Sequence, residues 1–255
     1  MNITKATVCY FTGRGTTKQY AKAFAEALPF EATLHELRFD NPVKDTFGPD
    51  ELLVVAGPVY AGYLPTFMWE QLDSVQGSKT PAVLLAVYGA RDYDNALLEM
   101  DQVLTKKGFS IVGAAAVVAR HSIATTIAPE RPTEDDLGEM RHFAHTIAER
   151  LDTMNTIDDA PIFTFKGTVE EGVRKGGAPL TNDACDECGI CVDQCPAGAI
   201  PEDNPETTNA EICVGCLRCV EVCPQSARSL PEEAIAKATA RLQKLADSAK
   251  PNEFF

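Results

Sequence analysis

Two stretches of the chain can be laid on each other, and they constrain what it can fold into more than anything else in it. Cys185-Asp-Glu-Cys188-Gly-Ile-Cys191-Val-Asp-Gln-Cys195-Pro196 and Cys213-Val-Gly-Cys216-Leu-Arg-Cys219-Val-Glu-Val-Cys223-Pro224 both read C-x2-C-x2-C-x3-C-P. Each of the four cysteines and the proline recurs 28 residues later, so the region is an internal duplication. The spacing has a chemical reason. Three closely spaced cysteines wrap one face of a four-iron, four-sulfide cubane, and the intervening amides are free to point at the sulfurs. The fourth cysteine, held by the turn before proline, faces away and reaches the other cluster. One [4Fe-4S] cluster is therefore expected on Cys185, Cys188, Cys191 and Cys223, and the other on Cys213, Cys216, Cys219 and Cys195. Zinc also takes four thiolates from C-x2-C pairs. It needs two such pairs, however, and neither a third cysteine two residues on nor the C-P ending.

The motif resembles that of bacterial-type ferredoxins, with a longer link, Ala197–Ile212, between its halves that is expected to bulge as a surface loop. Eight of the nine cysteines fall in this last third of the chain. The N-terminus runs straight into a strand-like segment without the apolar core of a signal peptide. A cytoplasmic protein is expected, and crowded thiols in a reducing compartment point to metal rather than disulfides. The ninth, Cys9, sits mid-strand and reads as a buried apolar residue. The stretch Thr181–Leu230 holds nine acids against two bases, Arg218 and Arg228. Negative, low-dielectric surroundings favour the oxidised cluster, so a low potential is expected. The net charge of −14 argues against nucleic acid as a partner. It favours redox partner proteins with a basic docking face, or serves solubility alone. No apolar run approaches the ~20 residues of a membrane span.

The remainder of the chain reads as α/β. Apolar runs at Ala6–Phe11, Leu52–Ala56, Ala82–Tyr88 and Ile111–Ala119, with a more polar one around Ala32–Arg38, suit strands buried on both faces of a parallel sheet. Helical patterns lie between them at Thr17–Leu28, Thr66–Val75 and Asn95–Lys107. A fourth, Thr133–Met154, opens on a Thr133-x-x-Asp136 capping box. The fold class expected is a doubly wound five-stranded parallel sheet followed by a small α+β two-cluster domain. The boundaries expected are 1–155 for the sheet domain, 156–180 for a connecting segment with one short strand at Ile162–Phe165, 181–230 for the cysteine domain, and 231–255 for a last helix, Glu232–Ser248, and tail.

Three loops fall together at the C-terminal edge of such a sheet, where ligands of open α/β folds bind. The first, Thr12-Gly13-Arg14-Gly15-Thr16-Thr17, joins a strand to a helix and makes a nest of amides suited to phosphate. A plain Gly/Thr turn capping the helix reads the same way. The second is Pro58-Val59-Tyr60-Ala61-Gly62, and the third is Tyr88-Gly89-Ala90-Arg91-Asp92-Tyr93. Both offer glycines and aromatic planes to a tricyclic ring. In order, the three loops resemble those of flavodoxin, and with the cysteine domain the whole chain resembles the family of flavodoxin–ferredoxin fusions. The resemblance implies FMN, with its phosphate on residues 12–17 and its ring between Pro58–Gly62 and Tyr88–Tyr93.

Arg14 departs from the flavodoxin pattern, which carries a small hydroxyl there. It either pairs with the phosphate dianion or marks weakened binding. His121, after the fifth strand, either contacts the cofactor or is an ordinary loop histidine. His142 and His145 share a solvated helix face, and Trp69 reads as core. Three functions remain open: an electron carrier linking clusters, FMN and partner proteins; an FMN-dependent reductase of a small acceptor such as a quinone or nitro compound; and a ferredoxin on a flavin-free scaffold. No catalytic residues are assigned, and no nucleotide fingerprint is present.

Overall fold

The computed structural model describes every residue except Glu171, Val173 and Arg174, which lie in the connecting segment expected at 156–180. Five strands form the centre: β1 (Lys5–Tyr10), β2 (Glu31–Glu36), β3 (Glu51–Pro58), β4 (Thr80–Tyr88) and β5 (Phe109–Val118). They lie parallel in the order β2-β1-β3-β4-β5, with the order reversing between β1 and β3. Every residue of β4 is buried, as the unbroken apolar run requires of a central strand covered on both faces.

Successive side chains feed two cores. Leu52, Val54, Val83 and Leu85 face α1 (Thr16–Ala27) and α4 (Glu134–Thr153), meeting Tyr20, Phe24, Phe143 and Ile147. Leu53, Val55, Leu84 and Ala86 face the other way, toward α2 (Thr66–Gln71) and α3 (Ala96–Lys106). Ala197, Val214 and Cys216 of the cysteine region belong to this second core. The two halves of the chain therefore share buried surface.

The capping box forms as expected. Thr133 Oγ1 accepts from the Asp136 amide at 3.2 Å, and Asp136 Oδ2 accepts from the Thr133 amide at 2.7 Å. Asp136 also pairs with Arg131 at 2.6 Å and accepts from Asn252 Nδ2 at 2.9 Å, which fastens the end of the chain to this helix.

The sheet has a sixth strand beyond the five expected. Glu253–Phe254 (β6) pairs antiparallel with β5, Glu253 opposite Ala116 and Phe254 opposite Ala115. A two-residue strand carries no periodicity, so only its partner defines it. The short strand expected at Ile162–Phe165 does not form: Ile162 is 96% exposed, and Phe163 and Phe165 stack on each other instead. The last helix, Glu232–Leu242, stops short of Ser248 and buries no residue. Only Leu242 and Ala246 reach the second core, while Leu245 points to solvent.

Glu51, at the start of β3, supplies a prediction. Burial opposes its charge, but bonds from Lys44, the Gly48 amide and Lys5 outweigh it and hold its pKa at about 2, below an ordinary value of 4.5. A depressed folded pKa contributes stability that is present above the ordinary value and lost as pH falls from about 4.5 toward 2. Denaturant midpoints measured across that window should fall less steeply for Glu51→Gln than for the parent. Identical slopes would remove Glu51 from the acid response.

Candidate metal centres

The cysteine region folds as two turns of the same design. Antiparallel pairing of Leu180–Thr181 with Arg228–Ser229 ties its ends together. Each half then passes through a left-handed residue, Gly189 (φ 76°) or Leu217 (φ 63°), into a one-turn helix, α5 (Ile190–Asp193) or α6 (Arg218–Glu221). These helices carry the third cysteine of each motif, Cys191 and Cys219.

Two small cavities result. The first is lined by Cys185, Cys188, Cys191 and Cys223, and the second by Cys195, Cys213, Cys216 and Cys219. Each thus gathers three cysteines of one motif and the last of the other. Amides point at the sulfurs: Ala199 N to Cys195 Sγ and Ala227 N to Cys223 Sγ, both at 3.3 Å and 28 residues apart, and Gly215 N to Cys213 Sγ at 3.4 Å. Such bonds favour thiolate over thiol and delocalise charge from an iron-bound sulfur. Four thiols round each cavity, three of the eight already met by backbone amides, are a donor set that fits a cluster.

The cavities differ in exposure. All four cysteines of the second are buried, whereas Cys188 of the first is exposed and Cys185 and Cys223 are half-buried. Burial pushes the Cys216 thiol to about 12 and Cys219 to about 11. Metal binding must therefore displace protons from these sulfurs.

The duplication breaks at two positions that sequence reasoning passed over. Ile190 and Ile200 of the first half are answered 28 residues on by Arg218 and Arg228. Both arginines are buried, at 6% and 2% exposure. Arg228 donates to Thr208 Oγ1 at 2.8 Å and to the carbonyls of Pro205 and Thr207, and it lies against Cys191. Arg218 reaches out of the cysteine region: its Nη2 donates to the Thr12 carbonyl and to Glu36 Oε1. A comparison of the two repeats position by position would have exposed both.

The three loops expected to hold FMN do meet at one sheet edge, where they are partly covered. Thr12 is buried and its Oγ1 accepts from the Gly15 amide at 3.0 Å. A Cβ on Gly13 would stand 2.0 Å from the Cys216 carbonyl oxygen, so only glycine admits this approach. Arg14 Nη1 donates to Glu221 Oε2 at 2.8 Å, and Arg120 Nη2 holds the other oxygen at 3.3 Å. Thr17 is buried in the first turn of α1. Pro58 closes β3, and the Val59 amide donates to Val87 O at 2.8 Å. Tyr60 packs with the second core and lies amid Cys213, Cys216, Arg14 and Arg218; burial raises its hydroxyl pKa well above the ordinary value. Ala61 and Gly62 turn with positive φ, and Gly62 abuts Asp94.

In the third loop Tyr88 meets Tyr93 edge-on, Gly89 lies against the His121 ring, Arg91 pairs with Asp94, and Asp92 Oδ1 accepts from the Asp94 amide. The tail then covers it. Asp247 N donates to Ala90 O at 3.0 Å, Lys250 Nζ to Arg91 O at 2.7 Å, and Tyr93 donates to Glu253 at 3.0 Å. In this arrangement the cysteine region closes over the Thr12–Gly15 loop, and Arg14 pairs with a carboxylate of its own chain.

The other candidates are structural. His121 Nδ1 accepts from the amides of Ile123 and Ala124, and burial lowers its pKa. His142 and His145 are exposed on α4. Trp69 is half-buried and packs against the second core, and its indole nitrogen has no hydrogen-bond partner among the described residues. Cys9 is fully buried, which pushes its thiol to about 12.

Residues 184–228 match the family described as the 4Fe-4S dicluster domain. A tetrathionate reductase subunit from Archaeoglobus fulgidus is 31% identical over 75 residues, covering 28% of this chain and 36% of its own length, so the chain spans about a third of that relative. Among solved structures, a flavodoxin from the domain Archaea aligns over 58% of this chain and 99% of its own at 17% identity, with a TM-score of 0.43. Oxidised flavodoxin 2 from Bacillus cereus aligns over 57% and 99% at 18% identity, with a TM-score of 0.44. The cysteine region is a ferredoxin-like 4Fe-4S domain beside a mixed α/β domain with a mainly parallel sheet, and the pairing supports a role in electron transfer. Among the described residues, no helix is long and apolar enough to cross a membrane.

Proposed function

We propose that the chain is an electron-transfer protein that carries electrons on two [4Fe-4S] clusters with crossed ligation. Cys185, Cys188, Cys191 and Cys223 hold an outer cluster, and Cys213, Cys216, Cys219 and Cys195 hold an inner one. The 3+1 grouping of cysteines round each cavity carries this reading. The clusters supply one-electron chemistry. The protein holds the thiolates, aims amides at them and keeps water from the inner site.

The outer cluster is the port to a partner. Cys188 and Ile190 are exposed there, within a rim of exposed Asp183, Asp186, Glu187 and Asp193. This apolar centre with an acidic rim suits a redox protein with a basic face. Stopped-flow mixing with such a low-potential partner should bleach the cluster absorption faster at 0.01 M than at 0.1 M salt, as the Debye length shrinks from about 30 to about 10 Å. NADPH alone should leave the clusters oxidised. Cluster-independent oxidation of NADPH would make the chain a reductase instead.

A further inference from the structure

We infer that the cluster half of this chain and FMN compete for one surface, with the Glu221 carboxylate holding the arginine that would otherwise meet the FMN phosphate. The first loop and parts of the other two meet residues from the C-terminal side of the inner cluster's first cysteine, while Ala61 and Asp92 stay exposed. Arg218, Cys216 and Glu221 meet Thr12, Gly13 and Arg14. Tyr60 packs against the core that includes Val214 and Cys216. Asp247, Lys250 and Glu253 meet Ala90, Arg91 and Tyr93. A surface engaged at three separate loops in this way is a dedicated docking site.

The chemistry of the site explains the competition. Arg14 and Arg120 present two guanidiniums to one carboxylate, a recognition geometry that serves carboxylate and phosphate alike. Among the described residues the Arg14 Nε and the Tyr88 hydroxyl are buried without hydrogen-bond partners, so docking leaves polar groups of the site unsatisfied. The dock is further held at its rim, where Phe39 N donates to Pro196 O at 2.9 Å and Arg38 Nη2 to Asp193 O at 3.0 Å. Of the inner cysteines, Cys216 packs into the sheet-domain core, while Cys195, Cys213 and Cys219 pack within the cysteine region itself. Release would therefore uncover Cys216 and the Thr12–Gly15 loop together.

The inference rests on the reading that both cavities hold clusters, and the test separates the two. The full chain is prepared without oxygen and its iron counted, then titrated with FMN and with riboflavin, which has no phosphate. Glu221→Gln and Glu221→Arg are treated alike. Glu221 is partly exposed, so both variants should keep eight irons, four in each cavity. FMN affinity is expected to rise about tenfold in Glu221→Gln, the scale of one bond to a charged group, and further in Glu221→Arg. Riboflavin should gain less. Saturating FMN should also speed amide exchange across Cys213–Glu221 in the parent chain. Unchanged FMN affinity in an eight-iron Glu221→Arg protein would overturn the competition, as would tight FMN binding by the parent with no change in exchange of that loop. Fewer than eight irons in the parent would instead overturn the cluster reading.

Discussion

Cys195→Ala should remove the inner cluster and spare the outer one, taking the iron content from eight to four per chain, although Cys195 belongs to the first motif. Cys195 lines the cavity of Cys213, Cys216 and Cys219, while the outer cavity draws its fourth cysteine from Cys223. A cubane left with three thiolates has an open iron and is readily lost or converted, so the loss should be close to complete. Cys223→Ala should do the reverse. The two variants are told apart by salt and oxygen response, because the cluster that survives in Cys195→Ala sits at the exposed Cys188 and the one in Cys223→Ala is buried. Truncation after Glu211 removes three ligands of one cavity and Cys223 of the other, so that fragment should hold no stable cluster. Four irons retained by the truncated chain would show that each motif ligates its own cluster.

Arg218→Met is the second change with a large expected effect. Its guanidinium is buried where the halves meet and donates to Thr12 O and Glu36 Oε1, with a weaker 3.5 Å contact to Gln194 O. Methionine keeps much of the apolar volume but leaves the Glu36 carboxylate and two carbonyls without their donor. Breaking a buried pair from one side costs about 3–5 kcal/mol, and a bond to a charged group about 1.5–3. Glu36 keeps 24% exposure and so recovers some hydration, which places the expected loss at roughly 2–3 kcal/mol. Cluster bleaching and loss of helical circular dichroism, coincident in the parent, should separate in denaturant, with bleaching first. Arg218→Lys should restore only part, because an ammonium cannot fork between two acceptors. Coincident transitions at an unchanged midpoint would exclude Arg218 from holding the halves together.

The parallel sheet was legible because Leu52–Ala56 and Ala82–Tyr88 are apolar at every position, which only a strand covered on both faces requires. The capping box at Thr133 was legible because its partners are three residues apart. The cysteine grouping was legible because the spacing and the 28-residue repeat are local facts. The closure of the flavin loops was not. It depends on Arg14 and Glu221, 207 residues apart, and on Gly13 meeting the Cys216 carbonyl, which no pattern near either residue announces. Arg14 was visible as a departure, but its anion comes from the chain itself. The sixth strand escaped for the same reason: Glu253 and Phe254 are a strand only because Ala115 and Ala116 offer an edge.

Iron, acid-labile sulfide and spin count on the full chain, prepared without oxygen and reduced with dithionite, decide whether both clusters are present. Eight irons and eight sulfides per chain are expected, with two clusters that reduce. Four irons, or zinc in place of iron with no reducible chromophore, would contradict the two-cluster reading.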